Sequence, residues 1–165
     1  MNELRLLFVE SIRTGTITSS EAEIMERATR FADRTARDVM VPLDRVVTWR
    51  FDRPVDENLA LARTEKHTRY PVYDARMDDL IGVINLKALA LYSEKDAADL
   101  EASRLQDLAI VKEIVRVPED RRIDTVLKDM RRRRQHMAAV VDRQGKAIGI
   151  LTMEDFRRHR AQWQA

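Results

Sequence analysis

The apolar positions of the chain predict the same order of strands and helices twice. One amphipathic helix carries Val55 and Leu59, and another carries Val126 and Met130, each within a pattern of helical spacing. Short β-branched runs lie on both sides of each helix, and a further helix follows the last run. Each set therefore reads strand, helix, strand, strand, helix.

Matching sequence strings support this repeat. RDVMVP (37–42) corresponds to QDLAIV (106–111), 69 residues later, and YPVYD (70–74) corresponds to AAVVD (138–142), 68 residues later. A three-stranded sheet with helices on one face cannot bury its other face alone, whereas two such units can cover each other. The predicted fold is α/β (α+β), with two small three-stranded sheets, each with two helices, packed as a pseudo-two-fold pair.

Two helices are predicted before the repeat. Apolar residues at helical spacing from Leu4 to Ile12 indicate the first, and TSSE (18–21) indicates a capping box that opens the second. The buried stripe of the second helix is predicted to contain Ile24, Ala28 and Phe31. The predicted organisation is a helical segment (1–35), a first unit (36–92), a linker (93–104) and a second unit (105–165).

Composition excludes several kinds of site. The chain has no cysteine, so it forms no disulfide and no thiolate metal site, and its three histidines lie too far apart in sequence for metal-ligand spacing. A formal net charge of +2 does not by itself indicate a polyanionic partner. Its apolar runs are far shorter than the roughly 20 residues that span a bilayer, so the chain as it stands is expected to be soluble.

The second unit ends in GILTMED (149–155), and a weaker copy, GVINLKA (82–88), ends the first. Thr152 and Asp155 have the spacing of a capping box at a helix start. The same positions also suit a ligand, because a helix N-terminus attracts phosphate and a hydroxyl and a carboxylate can bind a ribose phosphate. In this second interpretation, Gly149 lets the ligand approach the strand backbone. The motif alone leaves both interpretations open.

Four motifs in order give the chain a family resemblance: VMVP (39–42), TRYPVYD (68–74), HMAAVVD (136–142) and GILTMED. The chain resembles a pair of cystathionine-β-synthase (CBS) domains from about residue 37 to 160. More specifically, it is similar to the CorC/HlyC-type magnesium and cobalt efflux proteins, which are hemolysin-related and cyclin-M-like.

The resemblance implies an adenine nucleotide, ATP or AMP, in the cleft between the repeats, with any magnesium held through the phosphates. Thr152 would contact phosphate, Asp155 the ribose hydroxyls, and Arg69 the polyphosphate. The walls of the base pocket would come from five residues, Tyr70, Pro71, Met137, Ala138 and Ala139. For Tyr70 and Pro71, ordinary strand packing is an equal alternative.

The first copy departs from the motif. Asn85 replaces the threonine and Ala88 replaces the aspartate, and an alanine side chain cannot accept hydrogen bonds from a ribose. The first copy is therefore predicted to support the fold without binding nucleotide, which leaves one site in each chain.

The run RRRR (131–134) suggests nucleic-acid binding, because clustered arginines neutralise phosphates. Without interleaved aromatic residues, the solvated end of a helix is the better interpretation, and no nucleic-acid partner is predicted. One of these arginines could instead contact a nucleotide phosphate or a partner subunit. The sequence contains no nucleophile with a plausible base and no phosphate-binding glycine loop, so it predicts no enzyme.

The resemblance implies a cytosolic regulatory module of a divalent-cation transporter. Such a module forms a homodimer and acts on a membrane domain at the cytoplasmic face of the cell membrane. The chain is expected to be a fragment, because the family continues beyond the position of Asp155 into a longer helix and a further domain. A free-standing CBS pair that senses adenine nucleotide and regulates another partner is the alternative.

Overall fold

The structure is a computed structural model that describes residue 15 and residues 18–62, 67–95 and 103–164. The predicted helix between Leu4 and Ile12 and the predicted burial of Ala28 and Phe31 lie outside the described residues and side chains.

The elements follow the predicted order in both halves of the chain. The N-terminal half contains α1 (Ser19–Asp33), α2 (Ala36–Val39), β1 (Val41–Pro42), β2 (Trp49–Arg50), α3 (Val55–Ala62), β3 (Arg69–Tyr73), β4 (Leu80–Asn85) and α4 (Leu86–Lys95). The C-terminal half contains β5 (Val115–Pro118), α5 (Ile123–Arg132), β6 (Met137–Val141), β7 (Ala147–Thr152) and α6 (Met153–Gln164). Single 3₁₀ turns cover Leu43–Arg45 and Leu105–Asp107.

The capping box predicted for α1 is confirmed. The Thr18 amide donates to Glu21 Oε2 at 3.0 Å, and the Glu21 amide donates to Thr18 Oγ1 at 3.2 Å. The burial predicted for Ile24 is wrong, since this side chain is 65% exposed and Ala22 is buried instead. Two residues along a helix are separated by about 200°, so the side of α1 that contains Ala22 faces away from Ile24.

The three strands predicted for each half pair with one another, and β1 adds a fourth strand to the second sheet, which was predicted to have three. In the first sheet, β2 is parallel to β3 and β3 is antiparallel to β4; in the second sheet, β5, β6 and β7 repeat this arrangement. A parallel pair needs a crossover connection, which α3 and α5 supply.

The segments that lead into each unit are exchanged between the units. Strand β1 precedes the first sheet in sequence but pairs with β7 of the second, with Val41 opposite Ile150. In the other direction, Lys112 pairs with Val83 of β4 through backbone bonds of 2.7 and 3.0 Å. The predicted domain boundaries therefore remain a sequence-based proposal, because each unit is completed in space by a segment of the other.

Three apolar clusters hold these layers together. One is centred on Trp49 and Tyr70 of the first unit and also contains Leu105 and Leu108. Another is centred on Val126 and Leu151 of the second unit and also contains Ala36 and Val39. The third joins the units and contains Leu80, Ile114, Met137, Ala139, Ala147 and Ile150. The two sheets therefore bury apolar surface against each other, which a single unit could not do.

Candidate nucleotide site and a basic groove

Thr152 and Asp155 meet where β7 ends and α6 begins. The amide and the hydroxyl of Thr152 donate to Asp155 Oδ2 at 2.8 and 2.9 Å, and the Asp155 amide lies 3.3 Å from Thr152 Oγ1. The capping interpretation of the motif is therefore realised, with a carboxylate that is only 4% exposed.

Capping uses one oxygen of Asp155 and leaves the other available. Within the described residues, the nearest cationic group to Oδ1 is the Arg158 guanidinium at 3.9 Å, which is beyond hydrogen-bond range. A carboxylate has about four lone-pair sites, so Oδ1 can still accept ligand hydroxyls. The structural and the ligand interpretations of Asp155 are therefore compatible.

The three residues predicted on β6 lie next to this helix start but are buried. Met137 is opposite Thr152 in the strand register. Ala138 belongs to the core of the second unit, and Ala139 and Met137 belong to the cluster between the units. A role in a base pocket would need the backbone of this strand or a small movement of Met137, and it stays a prediction.

Tyr70 and Pro71 are packed into the first unit. The Tyr70 ring is stacked on Trp49 with centroids 5.6 Å apart and an interplanar angle of 23°. Its hydroxyl lies 3.5 Å from the Ala62 carbonyl oxygen. Pro71 is buried as well. These contacts favour the packing interpretation for both residues, and their place in a base pocket stays untested.

Gly149 has a different neighbour from the one predicted. A Cβ atom there would collide with the Met40 side chain and would lie 2.7 Å from the Val41 carbonyl oxygen. The space beside Gly149 is therefore filled by β1 and its preceding residue, so it is not open to a ligand. Gly82 has the equivalent role in the first unit, where a Cβ atom would lie 2.5 Å from the Lys112 carbonyl oxygen.

An open groove of about 250 Å³ lies beside the first copy of the motif. Asn85 and Ala88 line it together with Arg69, Lys112 and Arg134, while Thr152 and Asp155 do not. No nucleotide is predicted for this copy, because Ala88 offers no side-chain acceptor. The convergence of cationic residues from distant parts of the chain at this groove is a finding of the structure.

The four arginines of the run 131–134 have different environments. Arg132 and Arg133 both pair with Asp129, with N···O distances of 2.6 and 3.5 Å. Arg134 has a left-handed backbone with a φ of 54°. It follows the end of α5, where the Gln135 amide donates to the Met130 carbonyl at 2.9 Å in a Schellman-type cap. Glycine is favoured at that position, and an arginine there costs about 1–2 kcal/mol.

Comparisons with known proteins identify the class. The protein-family model for the CBS domain matches residues 105–162, which lie in the second unit. Because the first unit repeats the same order of elements, the molecule is a CBS-domain pair.

Three relatives place this pair within a family. UPF0053 protein YhdP of Bacillus subtilis is 34% identical over 93% of the chain, and the magnesium and cobalt efflux protein CorC of Salmonella typhimurium is 30% identical over 93%. The solved CBS domain of the bacterial CNNM/CorC family Mg²⁺ transporter in complex with ATP is 30% identical, with a TM-score of 0.75. That alignment covers 86% of this chain and 97% of the other. The chain belongs to the CBS domains of the CNNM/CorC family.

The chain corresponds to only part of its curated relatives, 34% of YhdP and 51% of CorC. Among the described residues, the structure contains no helix with the length and apolar character needed to cross a membrane.

Proposed function

We propose that this CBS pair binds an adenine nucleotide beside Thr152 and Asp155 and thereby regulates the transport of a divalent cation, magnesium or cobalt. The observation that carries the proposal is the buried carboxylate of Asp155, which has one capping oxygen and one available oxygen. The similar CBS domain solved with ATP supports the choice of ligand.

The proposed binding mode uses groups at the start of α6 and at the start of β3. The amides at the start of α6 and the Thr152 hydroxyl would take phosphate oxygens, because a helix N-terminus attracts anions. Asp155 Oδ1 would accept the ribose hydroxyls. Arg69, at the start of β3 of the other unit, would reach the polyphosphate, and a magnesium ion would be bound through the phosphates. This role is one of binding, without catalysis.

Regulation would work through the packing of the two units. Thr152 lies at the end of β7, which pairs with β1 from the other half of the chain. A nucleotide that contacts both halves favours the packing in which its contacts are best. A ligand shifts such an equilibrium only by its difference in affinity for the two states. We propose that a membrane domain elsewhere in the full protein, on the cytoplasmic side, responds to that shift.

Calorimetry tests this function directly. We expect ATP with magnesium to bind at one site per chain, because Ala88 provides no acceptor for a second ribose. We expect Thr152→Ala to lower the affinity for ATP more than the affinity for adenosine, since the Thr152 hydroxyl contacts phosphate in the proposed mode. No measurable ATP binding would contradict the proposal, and two equivalent sites would contradict the distinction between the two motif copies.

A homodimer is the expected assembly. Both helices of the first unit carry exposed leucines, Leu61 at 43% and Leu91 at 61%, and exposed apolar residues can indicate a contact surface. We propose that a second copy covers them in a two-fold arrangement. Sedimentation should give a dimer for the wild type and a shift towards monomer for Leu91→Glu. A wild-type monomer at high micromolar concentration would contradict this.

A further inference from the structure

The groove beside Asn85 has an excess of positive charge. Three cationic side chains line it, those of Arg69, Lys112 and Arg134, against the single carboxylate of Glu113. Within the part of the chain that the structure describes, none of the three forms a side-chain ion pair or hydrogen bond. Their mutual repulsion is therefore not offset by any described neighbour except Glu113.

We propose that this groove binds a compact polyphosphate anion such as pyrophosphate. Lys112 and Arg134 belong to the groove alone, whereas Arg69 is shared with the proposed nucleotide mode, and neither Thr152 nor Asp155 lines the groove. Arginine and lysine are the side chains that bind phosphate oxygens most strongly. Asn85 and His136 add further polar groups to the lining. The inference does not rest on the proposed nucleotide function.

The size and chemistry of the groove select a small ligand. Its volume of about 250 Å³ lies below the roughly 300–1,000 Å³ of pockets that enclose drug-sized molecules. Ala88 occupies the position at which the second copy of the motif has its carboxylate, so the acceptor proposed for the ribose in that copy is missing here. A diphosphate without a nucleoside matches both properties.

Arg134 supplies a second, independent argument. Its left-handed φ of 54° is at a cap position where glycine is favoured, so an arginine there carries a conformational cost. Its side chain lines the groove, whereas Arg131, in the same run, does not. A backbone outlier that places a charged side chain in a groove supports a role in binding.

Calorimetric titration of the chain with inorganic pyrophosphate tests the proposal. We expect Lys112→Gln and Arg134→Gln each to weaken binding by about tenfold. The control Arg131→Gln removes the same charge from an exposed residue outside the groove, and we expect a change within about twofold. An equal loss in all three variants would mean non-specific attraction and would overturn the proposal, as would no binding to the wild type.

The variant Arg134→Gly separates binding from stability. Because glycine suits the left-handed cap, we expect Tm to rise by about 2–4 °C, while pyrophosphate affinity falls about as much as in Arg134→Gln. A lower Tm together with unchanged affinity would overturn the role of Arg134 in the groove.

Asp155→Asn distinguishes this site from the nucleotide site. We expect its pyrophosphate affinity to stay within about twofold of the wild type, because the groove does not include Asp155. A large loss in Asp155→Asn with no loss in Lys112→Gln would place the anion at the motif of the second unit and overturn the proposal. If ATP fails to bind at all while pyrophosphate binds as described, the nucleotide function fails and the groove stands.

Discussion

Asp155→Asn is expected to weaken adenine-nucleotide binding by about ten- to hundredfold while the chain remains folded. A hydrogen bond to a charged group contributes on the order of 1.5–3 kcal/mol, which corresponds to that range in affinity. The asparagine oxygen can replace Oδ2 as the acceptor for the amide and hydroxyl of Thr152. Its amino group then replaces Oδ1, the acceptor proposed for ribose. A thermal-shift titration with ATP and magnesium measures stability and affinity together.

Glu154→Gln is the matched control for this experiment. Glu154 is the neighbouring carboxylate in the first turn of α6, but its side chain is exposed. The Glu154→Gln variant loses the same charge, and with it the same attraction to the helix dipole, but Glu154 is not the residue that caps the helix. We expect its ligand-induced stabilisation to match that of the wild type. Unchanged stabilisation in Asp155→Asn would instead limit Asp155 to capping, in which case the main effect would be a loss of about 1 kcal/mol in stability without ligand.

The order of elements was predictable from sequence because it depends on local patterns. Alternating and helical apolar spacing, together with the two capping boxes at Thr18 and Thr152, identified the start of helices and the repeated unit. These signals arise within a few residues of each other. The structure confirms them for the described residues.

Pairing between distant segments was not predictable in the same way. The matching strings at 37–42 and 106–111 showed that the two units have similar lead-in segments. They contain no information about which sheet each segment joins, because either sheet edge offers the same backbone groups. The exchange between β1 and β7 is therefore a finding of the structure.

In the candidate site as well, local contacts were predictable from sequence and contacts between distant segments were not. The spacing of Thr152 and Asp155 predicted their contact, and the packed environment of Tyr70 was foreseen only as an alternative. The convergence of Lys112 and Arg134 could not be foreseen, since Lys112 precedes β5, Arg134 follows α5, and neither lies within a helix or strand. The left-handed backbone that distinguishes Arg134 from its neighbours leaves no signal in a run of identical residues.

Gly82→Ala is expected to destabilise the chain by about 1–3 kcal/mol, the usual cost of overpacking. The new Cβ atom would lie 2.5 Å from both the Lys112 carbonyl oxygen and Val111 Cγ1. That carbonyl accepts the Val83 amide at 2.7 Å, so relief of the collision must lengthen a hydrogen bond that joins the two units. Urea denaturation should show a lower midpoint with an unchanged slope.

Two further variants separate the collision from other effects of glycine. Gly145→Ala tests backbone conformation alone, because its φ is 80° and nothing lies within 4 Å of the added Cβ atom. We expect it to cost about 1 kcal/mol. Adding Val111→Ala to Gly82→Ala should recover part of the loss, because it removes one of the two colliding groups, and a double-mutant cycle should give a favourable coupling. Wild-type stability in Gly82→Ala, or no coupling to Val111, would contradict the exchanged pairing of the lead-in segment with β4.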